Sequence, residues 1–423
     1  MMFSEVSTLL LSLLLLAVAL AGVISIQPRS MMGVGLHWFA SWLAQCFSSY
    51  LALACVAILI WVGLTSPVKV FSISIAIGIA LICTFSMGLY LLIFWRGRKT
   101  ADIAEHVVNR AIAGLDISGQ SSQFDPEDKP GLLSRAGLRP FYFGQQRVRR
   151  LKNVPYGNMG IAHHMDIYLP KELPSGPLPI LIQVPGGAWV TGSKDQQGLP
   201  LLNRMAAKGW ACFSVNYRLG PKARFPDMLT DVLMAIAWVK AHAVEYGADP
   251  GFVAITGGSA GGHLASLAAL LQNRAAFQPG FEDVDTGVSV VVPFYGRYDF
   301  LNRHQILPGN GIIPFLAAKV MPGLPEACPE LWQHASPEAQ VHVKAPPFLI
   351  VHGSGDTLIP VEEARAFYQA LKAVSDQAVD YLELPGAQHA FDMVNSSWSQ
   401  PTVEAVSRYL NAHFSHYRHQ TQD

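Results

Sequence analysis

The first 95 residues carry only three charged side chains, Glu5, Arg29 and Lys69. A helix needs about 20 apolar residues to cross a bilayer, and this segment contains three such stretches. None of them shows the amphipathic stripe of a helix that packs on a soluble core. The sequence therefore predicts a three-helix transmembrane anchor over residues 1–95, with spans at Val6–Ile26, Ala40–Leu64 (behind an aromatic belt formed by Trp38 and Trp42) and Val70–Trp95.

Basic residues follow the third stretch at once, at Arg96, Arg98 and Lys99. Such residues favour the cytoplasmic side of a membrane, so three spans place the N-terminus outside and the rest of the chain inside. The alternative is that the first stretch is a cleaved signal peptide. Its start has Glu5 and no lysine or arginine, which is unlike the basic start of a signal peptide.

Ser259 lies in a Gly-Gly-Ser-Ala-Gly run between an apolar segment, Phe252–Thr256, and a stretch of helix formers, His263–Leu271. A serine flanked by glycines between a strand and a helix is typical of a nucleophile elbow, where a sharp turn exposes the hydroxyl. The alternative is a glycine-rich turn that only packs the helix on the strand. The order of strand, turn and helix favours the elbow.

A serine needs a base and a carboxylate that orients the base. In proteins that carry a nucleophile elbow, both partners come later in the chain, the acid before the base. Asp356 follows an apolar run, Pro347–His352, and His389 follows another, Ala378–Leu384. An aspartate beside Gly355 is also a common turn former. The joint order nevertheless predicts a catalytic triad of Ser259, Asp356 and His389.

Negative charge that develops on a substrate oxygen is stabilised by backbone N–H groups placed in advance. The apolar run Leu178–Val184 is followed by Pro185 and then by a small-residue loop, Gly186–Trp189. Such a loop lets the main chain approach the substrate closely, although a plain Gly-Gly turn is the alternative.

Apolar strand candidates alternate with helical segments after residue 147, with two more strands predicted at Ala211–Asn216 and Val288–Pro293. This pattern predicts an α/β fold with a mostly parallel sheet covered by helices on both faces. We expect a catalytic domain over 147–418, a juxtamembrane linker or cap over 96–146, and a lid over Arg297–Ala345.

From about Arg147 onwards the chain resembles the α/β-hydrolase esterases of the hormone-sensitive-lipase-like and isoprenylcysteine-methylesterase-like groups. The resemblance lies in the Gly-Gly-Ala-Trp loop, Asn216-Tyr217-Arg218-Leu219, Phe225-Pro226 with Asp231, and the Gly-Gly-Ser-Ala-Gly-Gly elbow. It implies an α/β-hydrolase fold, an oxyanion hole formed by the amides of Gly187, Ala188 and Ala260, and a loop shaped by Gly186. Pro185 and Gly258 depart from the family pattern, which has a histidine and an acidic residue there.

These features predict a membrane-anchored serine esterase or lipase that cleaves carboxylic esters through an acyl-enzyme and needs no cofactor or metal. We expect a small-molecule or lipid ester substrate and contact with membrane lipid. Isoprenylcysteine methylesterase activity, lipid deacylation and, in another class, a catalytically silent membrane scaffold are the alternatives. The zero net charge gives nucleic-acid binding no electrostatic support, and the five cysteines show no metal-ligand spacing. The oligomeric state is left open.

Overall fold

The structure is a computed structural model that describes residues 2–24, 26, 31–65, 72–115, 139–141, 145–174, 176–309 and 311–422. Residues 116–138 and 142–144 of the predicted juxtamembrane linker and the charges of Arg29 and Lys69 lie outside the described residues. The described part contains a bundle of apolar helices followed by a mostly parallel sheet with helices on both faces. The predicted fold class is therefore confirmed.

Among the residues that the structure describes, four α-helices precede the sheet: α1 (Met2–Val23), α2 (Met31–Cys46), α3 (Ser48–Thr65) and α4 (Ile73–Ile112). Three of them are long and apolar enough to cross a membrane, over Glu5–Val23, Ser48–Thr65 and within Ile73–Ile112. The predicted second span differs from the structure, because the chain bends at Phe47 and residues 40–46 belong to α2. The third differs as well, since α4 continues 17 residues past Trp95 without a break.

The helices α1 and α4 run parallel to each other. The amide of Ser72 donates to Glu5 Oε1 (2.6 Å), Tyr90 Oη to the Leu15 carbonyl (2.6 Å) and Arg96 to the Val23 carbonyl (3.5 Å). These contacts follow the same order along both helices. The start of α1 and the sheet therefore lie at opposite ends of the bundle.

The sheet has eight strands in the order β1-β2-β4-β3-β5-β6-β7-β8. Both pairings of β2, with β1 and with β4, are antiparallel, and all the other pairings are parallel. The carboxyl ends of β3 and β5 to β8 thus meet at one edge. The strands are β1 (Val148–Pro155), β2 (His164–Pro170), β3 (Leu178–Val184), β4 (Ala211–Val215), β5 (Ala248–Gly258), β6 (Val290–Phe294), β7 (Phe348–Gly353) and β8 (Val379–Leu384).

Helices cover both faces of this sheet, and each face has its own buried apolar cluster. The second half of α4 belongs to one of these clusters, where Ala104 and Val108 pack with residues of the helices Leu199–Ala207 and Ser399–Gln422. The remaining helices are α5 (Leu199–Ala207), α6 (Asp227–His242), α7 (Ala260–Leu270), α8 (Ile313–Lys319), α9 (Pro329–His334), α10 (Val361–Val374) and α11 (Ser399–Gln422).

The segment predicted as a lid, Arg297–Ala345, contains α8 and α9. Its Trp332 is fully buried in the core, and the Val320 carbonyl accepts a hydrogen bond from the amide of Phe225 (2.8 Å). This segment is thus packed on the loop that follows β4. Its role as a lid stays a prediction.

Candidate active site

Ser259 stands between the end of β5 and the start of α7, with φ 59° and ψ −121°. A positive φ is unfavourable for a serine and persists only where the surroundings fix it. Two hydrogen bonds do so here: the Ser259 amide donates to the Phe294 carbonyl (2.9 Å), and the Ser259 carbonyl accepts from the His263 amide (3.0 Å). This is the backbone of a nucleophile elbow, and the residue is only partly buried.

The glycines around Ser259 allow backbone to pack on backbone. A Cβ at Gly261 would overlap the Val184 carbonyl, and a Cβ at Gly186 would overlap the Gly258 carbonyl and lie 3.0 Å from Ser259 Cβ. The loop after β3 therefore touches the elbow directly, as an oxyanion loop must.

The predicted oxyanion loop has a run of left-handed backbone, with φ 127° at Gly187, 51° at Ala188 and 60° at Trp189. The Gly187 carbonyl accepts hydrogen bonds from the amides of residues 190 and 191 (3.1 and 3.0 Å). Among the described residues, no hydrogen bond uses the amides of Gly187, Ala188 or Ala260. These three N–H groups beside Ser259 are available to an oxyanion.

Asp356 and His389 are brought together at the same edge of the sheet. His389 Nδ1 lies 2.6 Å from Asp356 Oδ2, and both side chains are buried. The other carboxylate oxygen accepts from the amides of Leu358 and Ile359 (2.9 and 2.8 Å). Since Nδ1 is held by a carboxylate, Nε2 is the ring nitrogen that remains to act as a base.

The charge state of Asp356 follows from its neighbours. Burial alone would raise the pKa of this carboxyl, but His389 and His352 beside it outweigh burial and hold the pKa well below its usual range. His352 Nε2 lies 3.3 Å from Asp356 Oδ2. Asp356 is therefore a carboxylate at any pH at which an imidazole base can work.

Gln388 is a site residue that the sequence analysis missed. Its Oε1 accepts hydrogen bonds from the amides of Thr357 and His389, each at 2.9 Å. One buried side chain thus ties the aspartate loop to the histidine loop. Its position next to the candidate histidine is the only signal in the sequence.

Tyr295, directly after β6, was also missed, and it touches both sides of the site. Its ring centroid lies 4.6 Å from that of His389, and its hydroxyl lies 2.7 Å from where a Cβ of Gly258 would be. The hydroxyl donates to Asp392, a buried carboxyl whose pKa is raised by burial. Tyr295 therefore fills the space that an acidic residue before the nucleophile would need.

The other departure, Pro185, is braced from elsewhere. Tyr217 Oη donates to the Pro185 carbonyl (3.0 Å), and Trp189 Nε1 donates to His263 Nδ1 (3.1 Å). Tyr217 belongs to the Asn-Tyr-Arg-Leu motif. The next residue, Arg218, binds the Asp231 carboxylate through Nε and Nη2 (2.9 and 2.7 Å), so this motif holds the loop after β4 on α6.

One group of side chains in the described part of the chain could hold a metal ion: Asp299, His304 and Glu338. Three of its four carboxylate oxygens accept hydrogen bonds, since the two Asp299 oxygens accept from the amides of Leu301 and Arg303 and Glu338 Oε1 lies 2.6 Å from His304 Nε2. The fourth, Glu338 Oε2, has no hydrogen bond and lies 3.9 Å from Arg303 Nη2. The group lies outside the arrangement around Ser259.

Comparison with known proteins identifies relatives of this chain. The BD-FAE family profile matches residues 165–371. The chain is 48% identical over 259 residues to the probable carboxylic ester hydrolase LipM of Mycobacterium tuberculosis, covering 61% of this chain and 60% of LipM. It is 44% identical over 272 residues to esterase LipC of the same organism, covering 63% of this chain and 67% of LipC. The chain thus spans about three fifths of the length of the first of these relatives.

More distant matches point the same way. The isoprenylcysteine alpha-carbonyl methylesterase ICME of Arabidopsis thaliana is 30% identical over 260 residues, covering 59% of this chain and 57% of ICME. The crystal structure of esterase B from Lactobacillus rhamnosis superposes with a TM-score of 0.55 at 21% identity, over 66% of this chain and 88% of that one, which shows the fold. The chain therefore belongs to the hormone-sensitive-lipase-like esterases of the α/β-hydrolase fold.

Proposed function

We propose that this protein is a membrane-anchored serine hydrolase that cleaves carboxylic esters with Ser259, His389 and Asp356. The observation that carries the proposal is the 2.6 Å contact between His389 Nδ1 and Asp356 Oδ2 at the sheet edge where Ser259 occupies a left-handed elbow. A scaffold without activity has no need for this combination. The esterase names of the similar proteins support the same conclusion.

In the first half of the reaction, His389 Nε2 takes the proton of Ser259 Oγ while Oγ bonds to the ester carbonyl carbon. The carbonyl oxygen becomes an oxyanion and accepts hydrogen bonds from the amides of Gly187, Ala188 and Ala260. The tetrahedral intermediate then expels the alcohol, which leaves with the proton from His389. An acyl-enzyme on Ser259 remains.

In the second half, His389 takes a proton from water, and the resulting oxygen attacks the acyl carbon. Collapse of this intermediate releases the carboxylic acid and returns the proton to Ser259. Asp356 stays ionised throughout, because its pKa lies well below the usual range. It holds the imidazole in the required tautomer.

A serine-reactive fluorophosphonate probe tests the triad. We expect the full-length protein in detergent to be labelled and Ser259→Ala to be unlabelled. Ser266→Ala is the matched control: Ser266 lies on α7, the helix that begins directly after Ser259, and its hydroxyl donates to the Gly262 carbonyl (2.8 Å), so this variant should label normally. His389→Ala should lower kcat for a p-nitrophenyl ester by about 10⁴-fold or more. Equal labelling of wild type and Ser259→Ala would instead favour the silent scaffold.

The proposal includes an orientation in which the hydrolase faces the cytoplasm. Its support is the parallel course of α1 and α4 and the basic residues Arg96, Arg98 and Lys99 where α4 leaves its apolar part. A C-terminal reporter that is active only in the cytoplasm should be active in this chain. An active periplasmic or extracellular reporter would reverse the orientation.

A second substrate class is favoured by the similarity to ICME. A prenylated cysteine methyl ester is an amphiphile that partitions into membranes, where the apolar helices would hold the enzyme. We expect the two classes to separate in a panel that contains p-nitrophenyl esters of increasing acyl length, a prenylcysteine methyl ester and a glycerolipid. Hydrolysis of the methyl ester alone would identify the methylesterase.

A further inference from the structure

The helix α2 makes side-chain hydrogen bonds to the loop that carries His389. Trp38 Nε1 donates to the His389 carbonyl (3.1 Å), and Trp42 Nε1 donates to the Ala390 carbonyl (3.0 Å). Gln45 Nε2 donates to the Gly386 carbonyl (2.8 Å), and Gln45 Oε1 accepts from the Gln388 amide (2.8 Å). Four hydrogen bonds between α2 and this loop thus hold four of the five residues 386–390, which are about 340 to 350 positions away in the sequence.

The loop held in this way has an unfavourable backbone. Gly386 has φ 79°, and Ala390, which follows the candidate base, has φ 62°. A residue with a side chain keeps such a conformation only when several contacts determine it. The Trp42 bond to the Ala390 carbonyl acts at the strained residue itself.

These contacts lie on one face of α2, and the opposite face differs from it. Gln45 is buried, whereas Leu36 on the opposite face is 65% exposed. An indole N–H can only donate, and the single polar side-chain atom of Trp38 and of Trp42 donates to a carbonyl of this loop. The face of α2 that carries Trp38, Trp42 and Gln45 is therefore specific for the loop.

The helix α2 is in turn fixed to the apolar bundle. A Cβ at Gly22 of α1 would lie 2.6 Å from Ala44 Cβ of α2 and 2.7 Å from Ile93 Cδ1 of α4. Three helices thus meet without space for one more carbon. The position of α2, and with it the position of the loop, depends on how the bundle packs.

We propose that Trp38, Trp42 and Gln45 are positioning residues for the catalytic histidine, so that the membrane-anchoring region forms part of the active site. This inference depends on the proposed role of His389. The three side chains act through the 386–390 backbone and set the distance from the imidazole to Ser259. A misplacement of about 1 Å at a catalytic group can lower the rate about 10²-fold.

The test compares Trp38→Phe/Trp42→Phe with wild type, as full-length protein in nanodiscs. The phenylalanines keep a ring but remove both donors. The matched control is Trp61→Phe/Trp95→Phe, the same chemical change at two indoles of the bundle that are 51% and 60% exposed. With a water-soluble p-nitrophenyl ester, we expect kcat to fall at least about tenfold in the first variant, KM to stay within about threefold, and the fluorophosphonate labelling rate to fall in proportion. The control should match wild type.

Gln45→Met is a second variant that removes the other two hydrogen bonds at similar volume, and it keeps the test decisive if the double variant does not fold. Unchanged kcat in the folded variants beside an active wild type would overturn the positioning role alone. A fall that is equal in the Trp61/Trp95 control would also overturn it, because it would show a general effect on the bundle. An inactive, unlabelled wild type would instead overturn the proposed function.

Discussion

At the scale of single residues, the contact between Gly258 and Tyr295 explains a departure from the family pattern. The Tyr295 hydroxyl and its ring atom Cε2 lie 2.7 and 2.9 Å from the position of a Cβ at residue 258, closer than side-chain carbons normally approach. The tyrosine hydroxyl is also held by Asp392. Gly258 and Tyr295 are therefore complementary, and neither can change alone without cost.

We expect Gly258→Ala to destabilise the protein by about 1–3 kcal/mol, as overpacking does, and to lower kcat/KM by moving Tyr295 against His389. Gly258→Ala/Tyr295→Leu should lose less stability than the two single variants together, because the second change makes room for the added carbon. Thermal melts in detergent measure this coupling. Gly78→Ala, with open space around its Cβ position, should melt like wild type. Additive losses would show that the two residues do not oppose each other.

The residues of the proposed triad could be predicted from sequence, whereas Tyr295 and Gln388 could not. Ser259, Asp356 and His389 each follow an apolar strand in the order that the chemistry requires. The two missed residues act through distances between loops that are far apart in the chain, which no local pattern records. In the sequence, nothing distinguishes Tyr295 from any other aromatic residue that follows a strand.

At the scale of elements, α7 supports the proposed oxyanion loop through His263. Trp189 Nε1 donates to His263 Nδ1, so Nε2 carries the ring proton and donates to the Ala335 carbonyl (2.7 Å). The ring also stacks on Phe300, at 4.4 Å between centroids. Burial lowers the pKa of His263 to about 3, a shift that the Ala335 hydrogen bond opposes. This histidine is neutral in the folded protein.

The low pKa makes stability depend on pH. In the unfolded chain His263 gains a proton below about pH 6.5, while in the folded protein it does not until about pH 3. The unfolded state thus binds more protons in this window, and stability falls as the pH drops through it, by at most roughly 5 kcal/mol. We expect His263→Gln to melt lower than wild type at pH 7 but to lose less on acidification to pH 4.5.

Burial lowers the pKa of His413 to about 4, so this residue also makes stability fall as the pH drops. The dependence of stability on pH should therefore become weaker in His263→Gln without vanishing. His106→Gln, at an exposed position of α4, should keep the wild-type slope. An unchanged slope in His263→Gln would assign the acid sensitivity to other groups.

Elements of the sheet were easier to predict than those of the bundle. Strands buried on both faces read as continuous apolar runs, and Leu178–Val184 was predicted with the bounds that the structure has. In the bundle, the exposed and the buried sides of the helices share one apolar composition, so neither the bend at Phe47 nor the continuation of α4 to Ile112 was visible. The aromatic belt assigned to Trp38 and Trp42 stays a prediction, and nothing in the sequence indicated that both indoles donate hydrogen bonds to the histidine loop.

At the scale of the whole molecule, α4 joins the apolar bundle and the hydrolase as one helix of 40 residues. At Gly97 it touches the chain before α11, where a Cβ would overlap Ser397 Oγ and lie 2.8 Å from Trp398 Nε1. Beyond this point Ala104, Val107 and Val108 enter the buried cluster that contains Trp398 and Tyr409. The second half of α4 therefore packs as a helix of the hydrolase and continues an apolar helix that is long enough to cross a membrane.

This architecture separates two roles of the N-terminal region, and two truncations distinguish them. A protein that starts at residue 139 lacks the part of α4 that covers Trp398 and Tyr409, so apolar surface becomes exposed and we expect it to aggregate.

A protein that starts at residue 99 keeps that part but loses α2. We expect it to be folded and monodisperse, to be labelled by the fluorophosphonate probe, and to be slower than the full-length protein by at least about tenfold in kcat. Size-exclusion profiles, melting temperatures and steady-state rates measure the three properties. If the protein from residue 139 were as stable and as active as the full-length chain, the apolar helices would be a detachable anchor, and both α4 and α2 would lose the roles that their contacts indicate.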